Sequence, residues 1–185
     1  MAESSGFFNA NLVDGNYDRV YLAEEFASCF DSFVGTGVFE KKPQDLQVLA
    51  KSSPAMQVEL QAGSGWINGY WYQNSDKLNL NIELADGSLR RIDSIALRFG
   101  SSEREIKAYV KKGTPSSSPV APAPQRDTDY YELIIAHVTV GAGAANIIQA
   151  DIEDTRFDSY LCGVVQGAVA ISTISSSAID SIIAN

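Results

Sequence analysis

The chain has one histidine, His137, inside the run Tyr130-Tyr131-Glu132-Leu133-Ile134-Ile135-Ala136-His137-Val138-Thr139-Val140. Imidazole is the side chain best suited to moving protons near neutral pH, and beside a Ser or Cys nucleophile it would serve as general base. No GxSxG, HExxH or Cys/His cluster accompanies it, so it reads as a core or interface residue of a strand. The acidic set Asp151, Glu153 and Asp154 could supply a glycosidase carboxylate pair or a calcium loop. It lacks both the regular Asp-x-Asp/Asn-x-Asp/Asn-Gly frame and a second carboxylate pair. Asp154-Thr155-Arg156 therefore reads as turn and salt-bridge contacts that fix the chain after its last strand. Trp66, Tyr70, Trp71 and Tyr72 form the strongest candidate ligand set, because aromatic faces stack on sugars. Successive strand residues point to opposite faces, so rings at both parities are expected to serve as core and interface, with glycan stacking as the alternative.

No nucleotide-binding GxGxxG or Walker loop occurs, and the two cysteines, Cys29 and Cys162, form no Cys-x-x-Cys. Cys29 falls in an apolar helical pattern and reads as a small buried hydrophobe. One histidine and no Cys/His cluster exclude a zinc site. The expectation is a protein with no catalytic residues, no metal and no cofactor.

Composition narrows the classes further. The 185 residues are 45% hydrophobic, enough for one core or for one domain plus an appendage, and only 20% charged, which favours short strands and turns over long solvated helices. A formal net charge of −9 argues against a phosphate-binding surface, which needs clustered Lys and Arg; no nucleic-acid partner is expected. Met1-Ala2-Glu3-Ser4-Ser5 lacks the basic and apolar regions of a signal peptide, so the chain is expected to be made and kept in a cytoplasm. No run approaches the length of about eighteen apolar residues that a membrane span requires.

The elements that would position these residues follow from periodicity. Residues 1–19 read as an extended or looped arm, with Phe7 and Phe8 apolar and Asp14-Gly15-Asn16 breaking the pattern. From Tyr21 to Val34 the residues Leu22, Phe26, Cys29, Phe30 and Phe33 recur at helical spacing, and Gly35 and Gly37 close the helix. Its apolar stripe would cover a sheet or a neighbouring subunit.

Between Gly37 and Lys112 the period becomes two. Strands are expected around Leu46–Ala50, Met56–Leu60, Trp66–Gln73, Leu78–Leu84, Ile92–Phe99 and Ile106–Val110, separated by Gly, Asp and Asn turns. Residues 113–124 hold four prolines between 115 and 124. They are expected to form an ordered, extended crossover on the sheet. The fold class is thus mainly β: an antiparallel sandwich or barrel-like core with one N-terminal amphipathic helix. The division is an arm over 1–19, a helix plus β-sandwich domain over 20–160 with the crossover at 113–124, and a C-terminal oligomerisation segment over 161–185. In that last segment Leu161, Val164, Ala168, Ile171, Ala178 and Ile182 fall on a near-heptad seam, expected to be helical and to need partners.

Several short pieces in order carry a resemblance. Ser5-Gly6-Phe7-Phe8-Asn9, Asp18-Arg19-Val20-Tyr21 with Ala23-Glu24-Glu25-Phe26-Ala27, and Gly35-Thr36-Gly37-Val38-Phe39 resemble the opening of tail proteins from phages and prophages of Gram-positive bacteria. Gly65-Trp66-Ile67-Asn68-Gly69-Tyr70, Arg91-Ile92-Asp93, Lys112-Gly113-Thr114-Pro115, Pro119 to Pro124, Tyr131-Glu132-Leu133 and Asp154-Thr155-Arg156 continue it. Over about residues 5–165 the chain is similar to the baseplate-proximal shoulder of upper-baseplate and receptor-binding proteins. The resemblance implies a non-enzymatic virion structural protein, made in the bacterial host cytoplasm and assembled into the tail or baseplate. Its implied partners are two further copies in a homotrimer, a distal-tail or baseplate hub docked through Phe7, Phe8, Tyr21 and Phe26, and a separate adhesin or a host cell-wall saccharide. Unlike the long members, this sequence carries no collagen-like repeat or receptor-binding head before Asn185, which points to a short adaptor or to the shoulder of a longer protein.

Overall fold

A computed structural model of the chain describes residue 3 and residues 5–166. The elements run β1 (Leu12–Val13), β2 (Asn16–Tyr17), α1 (Ala23–Asp31), β3 (Gly37–Val38), β4 (Val48–Ala50), β5 (Gln57–Leu60) and β6 (Gly63–Ile67). They continue with β7 (Tyr70–Asn74), β8 (Leu78–Asn81), β9 (Arg91–Gly100), β10 (Glu105–Lys111), β11 (Tyr130–Val140), a short 3-10 turn (Gln149–Asp151) and β12 (Ile152–Asp154). The fold is mainly β and its sheets are antiparallel. A four-stranded sheet runs β10-β9-β11-β12, beside three-stranded sheets β3-β6-β7 and β4-β5-β8. Val38, Leu46, Val58, Leu60, Ile67, Ile95, Leu97, Leu133 and Val138 come from all of these and bury into one core.

The central strand pair sets the frame. In β9 the core face carries Ile95 and Leu97, while Ser94 and Ala96 on the opposite face are also fully buried. A strand buried on both faces loses the clean apolar/polar alternation of a half-wet one. Its partner β11 has a bulge at Ile135, between the pairs Ile134↔Ala96 and Ala136↔Ile95. One extra residue reverses which parity faces the core. Leu133 is opposite Leu97 before the bulge, and Val138 opposite Asp93 after it. Glu132 and Ile134 face outward before the bulge, and the bulge then sends His137 to the same outer face and lets Val138 and Val140 join Leu133 in the core.

Residues 113–125 run along β9 and then over its outer face. Gly113 N donates to Asp93 Oδ1 at 2.8 Å, Ser116 N to the Arg90 carbonyl, Ser94 Oγ to the Pro122 carbonyl and Lys111 Nζ to the Ala123 carbonyl. A Cβ on Gly113 would lie 2.0 Å from the Ile92 carbonyl oxygen, so only glycine lets the crossover start this close to β9.

Four buried charged residues, Arg91, Asp93, Glu132 and Arg156, hold the connections. Arg91 pairs with Asp93 at 2.9 Å and donates to the Leu84 and Glu83 carbonyls. Glu132 accepts from Arg98, Lys111, Tyr109 and the Gln125 N–H. Arg156 binds Asp154 at 2.6 Å and donates to the Pro43 carbonyl at 3.1 Å. Burying charge is tolerable only when partners replace the lost water, and each of these groups has them.

Four expectations change. The single strand expected over Trp66–Gln73 is instead the β6–β7 hairpin, turning at Asn68-Gly69. The arm contains a β-hairpin, β1 to β2, turning at Asp14-Gly15 with φ of 51° and 80°, the positive values a two-residue primed turn requires. Helix α1 is shorter than the expected Tyr21–Val34. Glu25 accepts the Leu22 N–H at its start, and its apolar stripe is not core, for among its residues only Ala27 is buried. Residues 161–166 are not helical. Gly35 N donates to the Gln166 carbonyl, Val38 N to Gly163, and Val165 N to Val38, with Val164 in a parallel bridge to Val38. Of the expected seam, Val164 is thus claimed by main-chain pairing to β3 and Leu161 by a bond from Ile134 N of β11, and Ala168, Ile171, Ala178 and Ile182 lie outside the described residues.

Candidate functional site

Two surfaces of the molecule stand apart from the sealed core. The first is built on α1. The helix is seated on the β6–β7 hairpin, whose Asn68-Gly69 turn has φ of 50° and 85°. The Gly69 Cα packs against the Ala27 main chain so closely that a Cβ would lie 2.1 Å from the Ala27 oxygen. Thr36 Oγ1 accepts the Asn68 N–H at 3.0 Å and steadies the turn from the other side.

Seated this way, α1 turns its stripe outward. Leu22, Phe26, Phe30 and Phe33 are exposed. The arm folds back onto the same face: Phe7 stacks on Phe26 with centroids 4.9 Å apart and meets Tyr21 at 5.4 Å. The Tyr21 hydroxyl accepts the Phe8 N–H at 2.8 Å. Phe7, Phe8, Tyr21 and Phe26 therefore converge. Phe30 extends the face toward Phe33 at 5.5 Å and Trp66 at 5.9 Å. Glu24 and Glu25 border the cluster beside Phe7 and Tyr21, and Arg19 lies over the Phe8 ring; exposed apolar rings grouped this way normally find cover.

The second surface is a cleft of about 390 Å³ between the start of α1 and strands β7, β9 and β10. Its floor is the Tyr70–Phe99 stack, with centroids 5.0 Å apart. Trp71 forms one wall and Glu24, Ser101, Arg104 and Glu105 supply polar groups. Arg104 holds a φ of 53° in the β9–β10 turn. Glu105 is ion-paired with Lys107. Burial raises the Tyr70 hydroxyl pKa, and the Glu24 carboxylate adds to the rise.

The four rings singled out from sequence do not make one platform. Trp66 and Trp71 are cross-strand partners on one face, and Tyr70 is paired with Ile67 on the other. Trp66 packs between Phe30 and Phe39, and its Nε1–H has no acceptor among the described residues. Tyr72 packs on the core. Trp71 alone is open, 67% exposed. Residue order did not reveal that Phe99, Arg104 and Glu24 would meet it. Each comes from a different element, and the juxtaposition is tertiary.

The candidate chemical groups are dispersed or sealed. His137 Nδ1 lies 3.1 Å from Ser94 Oγ, but Ser94 is fully buried and donates to the Pro122 carbonyl. Burial holds the His137 imidazole below its ordinary pKa, opposed by Glu153 and Asp158. Asp151 accepts the Ile148 N–H and Asp154 is taken by Arg156, while Glu153 stands opposite His137 on β12. Among the described residues no group of three or more His, Cys, Asp or Glu is placed to hold a metal, and no helix is long and apolar enough to cross a membrane. Leu161 is half-buried, with its carbonyl accepting from Ile134 N and Arg126 Nη2. No family model matches the chain, and neither the curated proteins nor the solved structures contain a match to it.

Proposed function

We propose that this chain is a non-enzymatic assembly part, a baseplate or tail-fibre adaptor of a phage or prophage that forms a homotrimer and links the tail tip to adhesive parts. The observation that carries the reading is the helix α1, whose stripe of Leu22, Phe26, Phe30 and Phe33 stays exposed even with Phe7 stacked on Phe26 and Trp66 against Phe30. A stable interface buries roughly 800 Å² per partner, and the aromatic face of arm and helix is of the kind that supplies its apolar centre. The sheets, stacked sandwich-like around one core, give that face a rigid support. Arg91-Asp93, Glu132 and Arg156 use their charge to hold connections, as a rigid scaffold requires. In this reading Phe7, Phe8, Tyr21 and Phe26 dock on a distal-tail or baseplate hub, and the seam beyond residue 166 holds the copies together. Copies held close would raise the effective concentration of weak adhesive sites.

Light scattering separates these parts. The full chain is expected to give the mass of a trimer, and a version ending at Gln166 the mass of a monomer. Phe26→Ser with Phe30→Ser is expected to abolish capture on purified tails while leaving the trimer intact. A full-length monomer that ignores tails would sink the reading.

A further inference from the structure

The arm and α1 carry a strong excess of one charge. Over residues 1–34 the sequence holds Glu3, Asp14, Asp18, Glu24, Glu25 and Asp31 against a single Lys or Arg, Arg19, so this stretch accounts for −5 of the chain's −9. All seven side chains belong to exposed residues. The one cation is already engaged, 3.5 Å from Asp18 and over the Phe8 ring. Between residues 5–7 and the flank of α1 runs a groove of about 550 Å³, lined on the helix side by Glu24, Glu25, Ser28, Cys29 and Ser32. Glu25 Oε2 accepts the Leu22 N–H at 2.8 Å, which fixes that carboxylate in place. Among the described residues neither Glu24 nor Glu25 has an ion pair.

Charge selects what can cover this face. A second copy turned face to face would oppose carboxylates to carboxylates, and like charges across an interface are strongly disfavoured. Its cations elsewhere are largely committed, for Lys77, Lys107, Lys111, Lys112, Arg98 and Arg156 each pair with a carboxylate. Residues 167–185 of the chain itself hold one charged side chain, Asp180, and no Lys or Arg, so they bring no counter-charge. We propose that the arm-and-helix face docks a different protein, whose contact surface is an apolar patch rimmed by Lys and Arg, with one of those cations seated in the groove beside Glu24 and Glu25. The inference rests on the docking reading of this face and names the chemistry of what docks there. The rings of Phe26 and Phe30 meet the apolar patch and supply affinity. The surrounding carboxylates steer the approach and fix the orientation. The Ser28 and Ser32 hydroxyls give the seated cation further acceptors.

The test uses two synthetic amphipathic peptides with the same Leu and Phe face, one carrying Lys and the other Glu at every polar position. Each is titrated with the full chain and followed by fluorescence anisotropy. At about 50 mM NaCl the Lys peptide is expected to bind at least about tenfold tighter than the Glu peptide, and at about 500 mM within about twofold of it, because salt screens the charges. Glu24→Gln with Glu25→Gln is expected to weaken the Lys peptide about fivefold. The thermal midpoint should not move, since both residues are exposed and an amide still accepts the Leu22 N–H. Phe26→Ser with Phe30→Ser is expected to abolish binding. Glu83→Gln with Glu153→Gln removes as much charge from the β8–β9 connection and from β12, and is expected to leave binding unchanged. Equal affinity for the two peptides at low salt overturns the proposal. So does Lys-peptide binding that survives either the Glu24 and Glu25 pair or the Phe26 and Phe30 pair of substitutions. Capture on purified tails fails separately. Tails that hold the chain and its Glu24→Gln, Glu25→Gln variant alike at both salt concentrations would keep the docking reading and remove the basic rim. Tails that ignore a chain still selecting the Lys peptide would remove the hub alone.

Discussion

Glu132 on β11 and Arg98 on β9 are direct cross-strand partners, with Arg98 Nη2 2.6 Å from Glu132 Oε1. The second carboxylate oxygen accepts from Lys111 of β10 and from the Gln125 N–H where the crossover ends, both at 2.7 Å. One fully buried carboxylate thus joins three strands to the segment that covers them.

Removing that carboxylate leaves cations at the edge of the buried site with no counter-charge. Arg98 and Lys111 keep about a quarter of their side-chain surface in water, which softens the penalty of an orphaned charge. Glu132→Ala is expected to cost about 3 kcal/mol in urea unfolding, and Glu132→Gln nearly as much, because a neutral amide cannot balance two cations. A loss below about 0.5 kcal/mol for Glu132→Ala, the size of a surface substitution, would contradict the role given to this group.

Stability is expected to fall in acid in two stages. Burial lowers the His137 pKa below its ordinary 6.5. The unfolded chain therefore takes up the proton first, and stability drops as pH falls from 6.5 toward the folded value. Burial raises the Glu132 carboxyl, but Lys111, Tyr109, Gln125 and Arg98 outweigh it and hold the pKa below 4.5. Its contribution is complete above 4.5 and is lost as pH falls through the lower folded value. Urea titrations across pH should show both stages, with His137→Gln erasing the upper one alone. An upper stage that persists in His137→Gln would assign it to another group.

Gly69 is predicted to be the seat that α1 cannot lose. A methyl there would meet the Ala27 main chain at a φ of 85°, so Gly69→Ala must displace the helix or strain the turn. Hydrogen exchange is expected to accelerate across Ala23–Asp31 while β9 and β11 stay protected. Uniform acceleration over the whole domain would mean that the helix is not a separable unit.

The two thiols are predicted to differ. Burial pushes the Cys162 thiol up to about 12, far from the thiolate that reacts with disulfide reagents. Cys29 is only partly covered, at the helix surface. Native protein should release one equivalent of chromophore quickly and a second only on unfolding. Two fast equivalents would show that the Cys162 site opens readily.

Legibility from sequence varied with the range of the forces involved. Gln57–Leu60 and Leu78–Asn81 alternate apolar and polar residues because one face of each strand is wet, and such a pattern is local. Asn68-Gly69 can adopt the positive φ values of a tight turn, yet the alternating rings on either side of it read as one strand over Trp66–Gln73, and the β6–β7 hairpin was missed. The Ile135 bulge left no such mark: Leu133 to Ala136 reads as an unbroken apolar run, and only the cross-strand register reveals the reversed parity. The stripe of α1 was visible as a stripe, but periodicity carries no information on what covers it. The Trp71 cleft was least legible, for its lining is drawn from α1, β7, β9 and β10.

Residues 163–166 lie along residues 35–38, tied by Gly35 to Gln166, Val38 to Gly163 and Val165 to Val38. The exit of the described chain is therefore fastened a few residues past the end of the helix that carries the exposed aromatic face. Tension between whatever grips that face and whatever pulls on the chain beyond residue 166 would run through this short main-chain clasp. The long β9–β11 ladder stays out of the line of force. On the proposed assembly role, the domain would carry traction as a link in a chain does, with its cleft and its core at rest.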